Sequence, residues 1–345
     1  MKNLVDKLYE TNILSKDEFI FLLENRNDEI RNYLAEKARS VSQSHFGNKL
    51  YVRGLIEFSN YCKNNCYYCG IRRGNKNCER YRLTKDEILQ CCENGYELGF
   101  RTFVLQSGED EFYSDDDIAE IVSGIKNKFP DCAVTLSLGE KSYEAYKKFF
   151  ESGADRYLLR HETADNDHYK LLHPKSLSLE NRKQCLYNLK DIGYQVGTGF
   201  MVGSPFQTNE HIAGDLMFIK DLNPQMVGIG PFIPHKDTMF AAEKAGTLEL
   251  TTFLVSIIRL MLPSALIPAT TAVGTIDVQG REKAILSGAN VLMPNLSPIK
   301  VRKKYLLYDN KICTGEEAAE CKNCLQSRTM SIGYEIIVDR GDYRP

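Results

Sequence analysis

The chain is 345 residues long and 43% hydrophobic, with 44 Lys and Arg set against 46 Asp and Glu for a formal net charge of −2. So even a balance offers no electrostatic footprint for nucleic acid or an anionic membrane, and no run approaches the ~18 consecutive apolar residues of a membrane span. The opening stretch MKNLVDKLYETNILSKDEF is charged throughout and lacks a signal-peptide core, so the expectation is a soluble cytoplasmic protein. Residues 1–50 read as a helical segment. SKDE (15–18) is a capping-box pattern opening the apolar run from Phe19, and a second helix is expected over 28–44. From residue 51 a rhythm sets in. Expected strands are YVRGLIEFS (51–59), RTFVLQ (101–106), AVTLSL (133–138), RYLLR (156–160), YQVGTGFMV (194–202), QMVGIG (225–230), LIPATT (266–271) and NVLMP (290–294). Helical patterns lie between them at 84–98, 114–129, 142–153 and 209–222. Eight strands alternating with helices predict an α/β fold, a (β/α)8 TIM-type barrel over 51–296, with a doubly wound open sheet as the alternative. Residues 297–345 form a short C-terminal extension.

Each apolar strand runs straight into polar or Gly-rich residues, among them NYCKNNC, SGED (107–110), LGE (138–140), RHET (160–163) and GPFIPH (230–235). Barrel enzymes build their sites from such strand ends, so these should share one mouth.

The chain carries eleven cysteines, an odd number that suits thiols rather than disulfides in a reducing compartment. Cys78, Cys91, Cys92, Cys132 and Cys185 are scattered and read as small buried side chains. Two groups remain, Cys62/Cys66/Cys69 and Cys313/Cys321/Cys324. The spacing Cys62-x3-Cys66-x2-Cys69 fits poorly with a closed four-ligand zinc site, although His173 or Cys78 could complete a tetrahedron. A cubane iron–sulfur cluster is normally held by four thiolates; three would leave one iron open to something other than protein.

With Tyr68 before the last cysteine, this loop at the end of a barrel's first strand resembles the radical S-adenosylmethionine (SAM) superfamily. The resemblance implies a 4Fe–4S cluster on Cys62, Cys66 and Cys69, with SAM on the open iron and reductive cleavage to a 5′-deoxyadenosyl radical. It assigns Ser107, Gly108 and Glu109 to the SAM ammonium, Glu162 to the ribose hydroxyls, Arg182 to the carboxylate and Tyr68 to the adenine; VGTGFMVG (196–203) resembles the family's glycine-rich fifth strand. For Glu109 and Asp110 the plainer alternative is a turn with helix-capping acids, and for Arg182 a surface helix position.

RTFVLQSGED, VTLSLGE, ADRYLLRHETA, MVGIGPFIPH, IPATTAVGTI and GANVLMPNLSP, in order over roughly residues 45–325, resemble the HydE family of FeFe-hydrogenase maturases. Cys313-x7-Cys321-x2-Cys324 falls at that family's auxiliary-cluster position, with a structural zinc or empty thiols as alternatives. The resemblance implies assembly of the hydrogenase di-iron subcluster from a small iron–cysteine complex bearing CO and cyanide. A partner radical SAM maturase would supply that complex, and an electron donor is needed. Arg53, Ser137, Arg160, Thr270, Thr271, Ala272, Tyr305 and Tyr308 are candidates for the substrate cavity, each with a satisfied core polar group as its alternative. Phe200, Met201, Met226, Ile229 and Met293 would line it or simply fill the core, and His161 reads as packing. No acid–base pair stands out. Rival readings are a methylornithine synthase or biotin synthase of the same branch, or a non-catalytic iron–sulfur or zinc protein.

Overall fold

The computed structural model describes residues 1–315 and 322–345. Three helices come first, Lys2–Thr11, Lys16–Glu24 and Asp28–Phe46. The capping box at Ser15 is in place: its Oγ accepts from Glu18 N at 3.2 Å and Glu18 Oε2 accepts from Ser15 N at 2.8 Å, meeting two backbone donors the helix start leaves free.

The strands are β1 (Lys49–Val52), β2 (Gly54–Ser59), β3 (Thr102–Ser107), β4 (Ala133–Ser137), β5 (Arg156–Leu158), β6 (Gln195–Thr198), β7 (Met201–Val202), β8 (Met226–Val227), β9 (Gly230–Pro231), β10 (Val291–Leu292) and β11 (Glu335–Ile337). One parallel sheet runs β2-β3-β4-β5-β6-β8. Hydrogen bonds carry it around into a ring. Val227 N donates to Leu266 O at 3.1 Å, and Ala269 N to Val291 O at 2.9 Å. Arg53 N and Leu55 N then donate to Leu292 O and Pro294 O, each at 2.9 Å. Eight staves therefore close, with β1 and β2 as one, β6 and β7 as another, β8 and β9 as a third. The seventh is only residues 266–268, held by single bridges. A barrel interior is filled by side chains, so the apolar strands read from the sequence become core here.

Helices cross between staves, among them Lys85–Glu97, Asp115–Lys128, Tyr143–Glu151 and Asn209–Leu222. Beyond the expected set stand Asn166–Leu172, Leu179–Ile192 and Leu248–Met261. The C-terminal residues return to the barrel: β11 pairs in parallel with β1, and the tail then reaches the strand starts. Arg340 O accepts from Thr102 Oγ1 (2.7 Å) and Arg156 Nη2 (2.9 Å), and Asp342 pairs with Arg156 at 2.6 Å. The N-terminal end of the barrel is thus stoppered and the opposite end carries the site. No helix among the described residues is long and apolar enough to cross a membrane.

Candidate active site at the barrel mouth

Residues 60–82 leave β2 as a loop laced on every side. Asn60 Nδ2 donates to Glu79 O (2.8 Å) and Lys304 O (2.7 Å), while its Oδ1 accepts from Tyr81 N (2.8 Å). Arg80 donates inward to the carbonyls of Ile71 and Arg72, both at 2.7 Å. Lys63 N, Tyr67 N and Gly70 N donate to Glu109 O, Leu172 O and Leu307 O at 2.9, 3.0 and 2.9 Å. The loop carries Cys62, Cys66 and Cys69, all partly exposed. Burial pushes all three thiols up, Cys69 to about 12; Cys69 and Cys62 raise Cys66 further, and Cys62 raises Cys69. Burial and the neighbouring thiols together thus oppose ionisation of the trio. Among the described residues no three His, Cys, Asp or Glu side chains close on a single ion.

Neither side chain considered as a fourth ligand is offered freely. His173 Nδ1 lies 3.0 Å from Tyr169 O and its Nε2 3.2 Å from Tyr68 Oη. A carbonyl can only accept, and burial keeps the ring neutral by lowering its pKa to about 3. Nδ1–H therefore donates to Tyr169 and Nε2 accepts the Tyr68 hydroxyl. Cys78 Sγ sits against the Asn60 amide at 3.5 Å.

Behind the loop stand the strand ends. The two acids of SGED separate at once. Asp110 is saturated by Arg82 (2.7 and 2.8 Å) and Ser59 Oγ (2.6 Å); burial would raise its carboxyl, but these bonds hold it low. Glu109 is nearly buried and unsaturated. Its Oε1 accepts only from Glu140 N at 3.1 Å, with Arg182 at 4.0 Å and Lys63 Nζ at 3.8 Å from its carboxylate, and burial pushes its carboxyl up. Arg182 Nε lies 2.6 Å from Glu140 Oε1, a buried ion pair. Glu140, at the end of β4, is a member of this set that was not singled out from the sequence; the signal was the LGE turn.

Glu162 follows β5 with φ +66°, a left-handed backbone that a non-glycine residue rarely adopts. Its Oε2 lies 3.1 Å from Arg160 Nη2, a second ion pair. Glu140 with Arg182 and Glu162 with Arg160 thus form two buried ion pairs, and Arg160 Nε has no hydrogen-bond partner among the described residues. Buried polar groups ordinarily have partners. Facing carboxylates and guanidiniums in this state fit a ligand that carries both an ammonium and a carboxylate.

Of the substrate-cavity candidates, Ser137 ends β4 level with Gln106, and Gln106 Nε2 donates to the buried Tyr305 Oη at 3.3 Å. Burial, then the charge of Glu57, pushes the Tyr305 hydroxyl up against the Gln106 hydrogen bond, and burial does the same to Tyr308. Thr270 has a buried Oγ1 without a partner and precedes the helix Thr271–Ile276, which also contains Ala272. A Cβ on Gly230 would stand 2.8 Å from that Oγ1 and 3.6 Å from the Ala272 methyl, so the seventh stave meets the sixth closely here. Arg53 is not with them. It lies at the strand starts, Nη2 3.4 Å from Gly341 O and Nη1 3.0 Å from Met226 Sδ. Its place, seven residues before Asn60, is ~23 Å of strand from the mouth. The Lys311 side chain, by contrast, is buried with its Nζ 2.5 Å from the buried Glu57 carboxylate. His161 is buried between Phe200 and Phe218 with Nδ1 2.9 Å from Thr198 Oγ1. Cys313 is buried with φ +61° and accepts from Arg281 Nη2 at 3.1 Å; Cys324 is on the helix Lys322–Met330, and Cys321 lies outside the described residues.

Residues 56–219 match the Radical SAM superfamily. The chain is 48% identical over 300 residues to the [FeFe] hydrogenase maturase subunit HydE of Thermotoga maritima, covering 87% of this chain and 85% of that one. It is 30% identical over 289 residues to a 3-methylornithine synthase of Methanosarcina acetivorans, covering 83% and 81%. The crystal structure of the methylornithine synthase PylB superposes with a TM-score of 0.81 over 97% of both chains at 26% identity.

Proposed function

The chain belongs to the radical SAM superfamily and, within it, to the family of the [FeFe] hydrogenase maturase subunit HydE, and from that premise we propose that it helps assemble the di-iron subcluster of FeFe-hydrogenase. It is a radical SAM enzyme, and enzymes of this kind use a 4Fe–4S cluster and SAM. In this reading the cluster rests on Cys62, Cys66 and Cys69, and when bound it supplies the electron that breaks a C–S bond of SAM to give the 5′-deoxyadenosyl radical.

The chain's own residues bind and orient. Glu109, backed by Ser107 and Gly108, takes the ammonium, and Arg182, its Nε paired with Glu140, takes the carboxylate with the rest of its guanidinium. Glu162 takes the ribose hydroxyls. Tyr68, held by His173, takes the adenine. Ser137, Arg160, Thr270, Thr271, Ala272, Tyr305 and Tyr308 face the substrate, a small iron–cysteine complex with CO and cyanide made by a partner radical SAM maturase. An external donor provides the electron. Cys313, Cys321 and Cys324 are the proposed seat of a second iron–sulfur cluster. Cytoplasmic location belongs to the same reading.

One observation carries it: 48% identity over nearly the whole chain, against 30% for the methylornithine synthase. Because the latter's fold is so close, lysine is the rival substrate to test. Added to a cell-free hydrogenase maturation mixture lacking this component, the protein should restore hydrogenase activity. Turnover of lysine to a branched ornithine, without that restoration, would overturn the assignment. Cys66→Ala should abolish dithionite-driven release of 5′-deoxyadenosine and lower the reconstituted absorption near ~400 nm, the remainder belonging to the C-terminal cluster.

A further inference from the structure

The segment after Cys69 turns its outer side to solvent, and that side is positive. Residues 70–80 carry Arg72, Arg73, Lys76 and Arg80 against one acid, Glu79. Arg80 points inward to carbonyls, Arg72 donates to Asp237 O at 3.1 Å, and Glu79 is taken by Lys304. Arg73 and Lys76 are exposed, and no described residue pairs with either side chain. Two neighbouring segments add Lys236 and Lys303, equally exposed and unpaired.

Both segments are fastened to the cysteine loop. Lys236 follows His235, whose ring packs so close to Gly70 that a Cβ there would stand 2.4 Å from it. Asp237 accepts from Asn77 Nδ2 at 2.8 Å. Lys303 precedes Lys304, whose carbonyl accepts from Asn60. Asp237 and Asp309, the acids here, are engaged with Asn77 and with Lys236 N. Met239, three residues after Lys236, is 66% exposed and adds an apolar side chain to the same segment. In a chain of net charge −2, four unpaired cations held together repel one another and gain nothing within the fold.

We propose that this face is the docking surface for a small acidic protein that carries single electrons. The inference rests on the reading of Cys62, Cys66 and Cys69 as cluster ligands. Arg73 is four residues from Cys69, so a carrier seated here stands on the outside of the loop that holds the cluster, while substrate keeps the barrel mouth. One electron passes per encounter: the reduced carrier is oxidised by one electron and the cluster is reduced by one. No bond forms or breaks at the contact. Charge complementarity of this kind sets encounter rate and register, and salt weakens it.

The test uses the full-length, cluster-loaded protein, a flavodoxin as the acidic carrier, and dithionite as a small reductant needing no docking. A quadruple variant, Arg73→Glu, Lys76→Glu, Lys236→Glu and Lys303→Glu, changes only exposed side chains outside the SAM site. Carrier affinity and carrier-driven SAM cleavage should fall steeply for the parent between about 50 and about 300 mM salt. In the variant, affinity should drop by about tenfold or more and the salt dependence flatten, with dithionite-driven cleavage and the cluster spectrum unchanged. Unaltered carrier affinity in the variant would overturn the proposal. So would single-stranded RNA binding to the parent as tightly and competing with the carrier. If dithionite yields no cleavage in the parent, the cluster reading fails, and carrier affinity still measures the surface on its own.

Discussion

Adjacent acids in one turn have opposite fates. Asp110 is locked by Arg82 and Ser59, whereas Glu109 keeps an unsaturated carboxylate between Arg182 and Lys63. Nothing in the letters SGED separates them, because the difference lies in what the β2 and β3 ends and the helix Leu179–Ile192 bring against each. Glu162 adds a backbone signature. A left-handed conformation costs an L-residue of order ~1 kcal/mol and persists where its surroundings enforce it. Glu162→Gly should therefore leave unfolding free energy unchanged or raise it by up to about 1 kcal/mol, while SAM affinity falls by about tenfold or more. Calorimetric titration with SAM beside a denaturant melt measures both; undiminished SAM affinity would remove Glu162 from the site.

Among the elements, the cysteine loop depends on close approach. A Cβ on Gly108 would stand 2.2 Å from Tyr61 O and 2.8 Å from Cys62 Cβ, so only glycine lets the β3 end pack beneath the first thiol. Gly108→Ala should cost about 1–3 kcal/mol through displaced backbone and lower cluster incorporation, read as iron per chain after anaerobic reconstitution, with the barrel's circular dichroism retained. Full incorporation would show that the loop can shift without harm. Most elements were legible because their periodicity is local, as with Lys85–Glu97 and Asn209–Leu222. The seventh stave was overdrawn: a strand expected to residue 271 stops near Pro268, and Thr270 already starts a helix. Leu248–Met261 escaped for the opposite reason. Ten of its fourteen residues are buried, so it shows no polar face from which to read a helical stripe.

For the molecule as a whole, ring closure and the returning tail decide where chemistry can occur. Arg156 is fully buried, and its ionic partner Asp342 belongs to the last four residues. Deleting residues 339–345 would strand that charge, for which about 3–5 kcal/mol of destabilisation is the usual scale. In a chain this size that lowers Tm by roughly 10 °C. Adding Arg156→Leu to the truncation should recover part of the loss; an unchanged Tm on truncation would mean the stopper contributes nothing. The barrel rhythm and the three-thiol loop were determined by the sequence alone, since strand and helix periods and a C-x3-C-x2-C spacing are written within a few neighbouring residues. Only the tertiary structure decided that Glu140 joins Arg182, that Arg53 sits at the closed end and Lys311 against the buried Glu57, and that the tail seals the base. Those contacts join residues as far apart as 288 positions, and no local pattern encodes which distant partner a buried charge will meet.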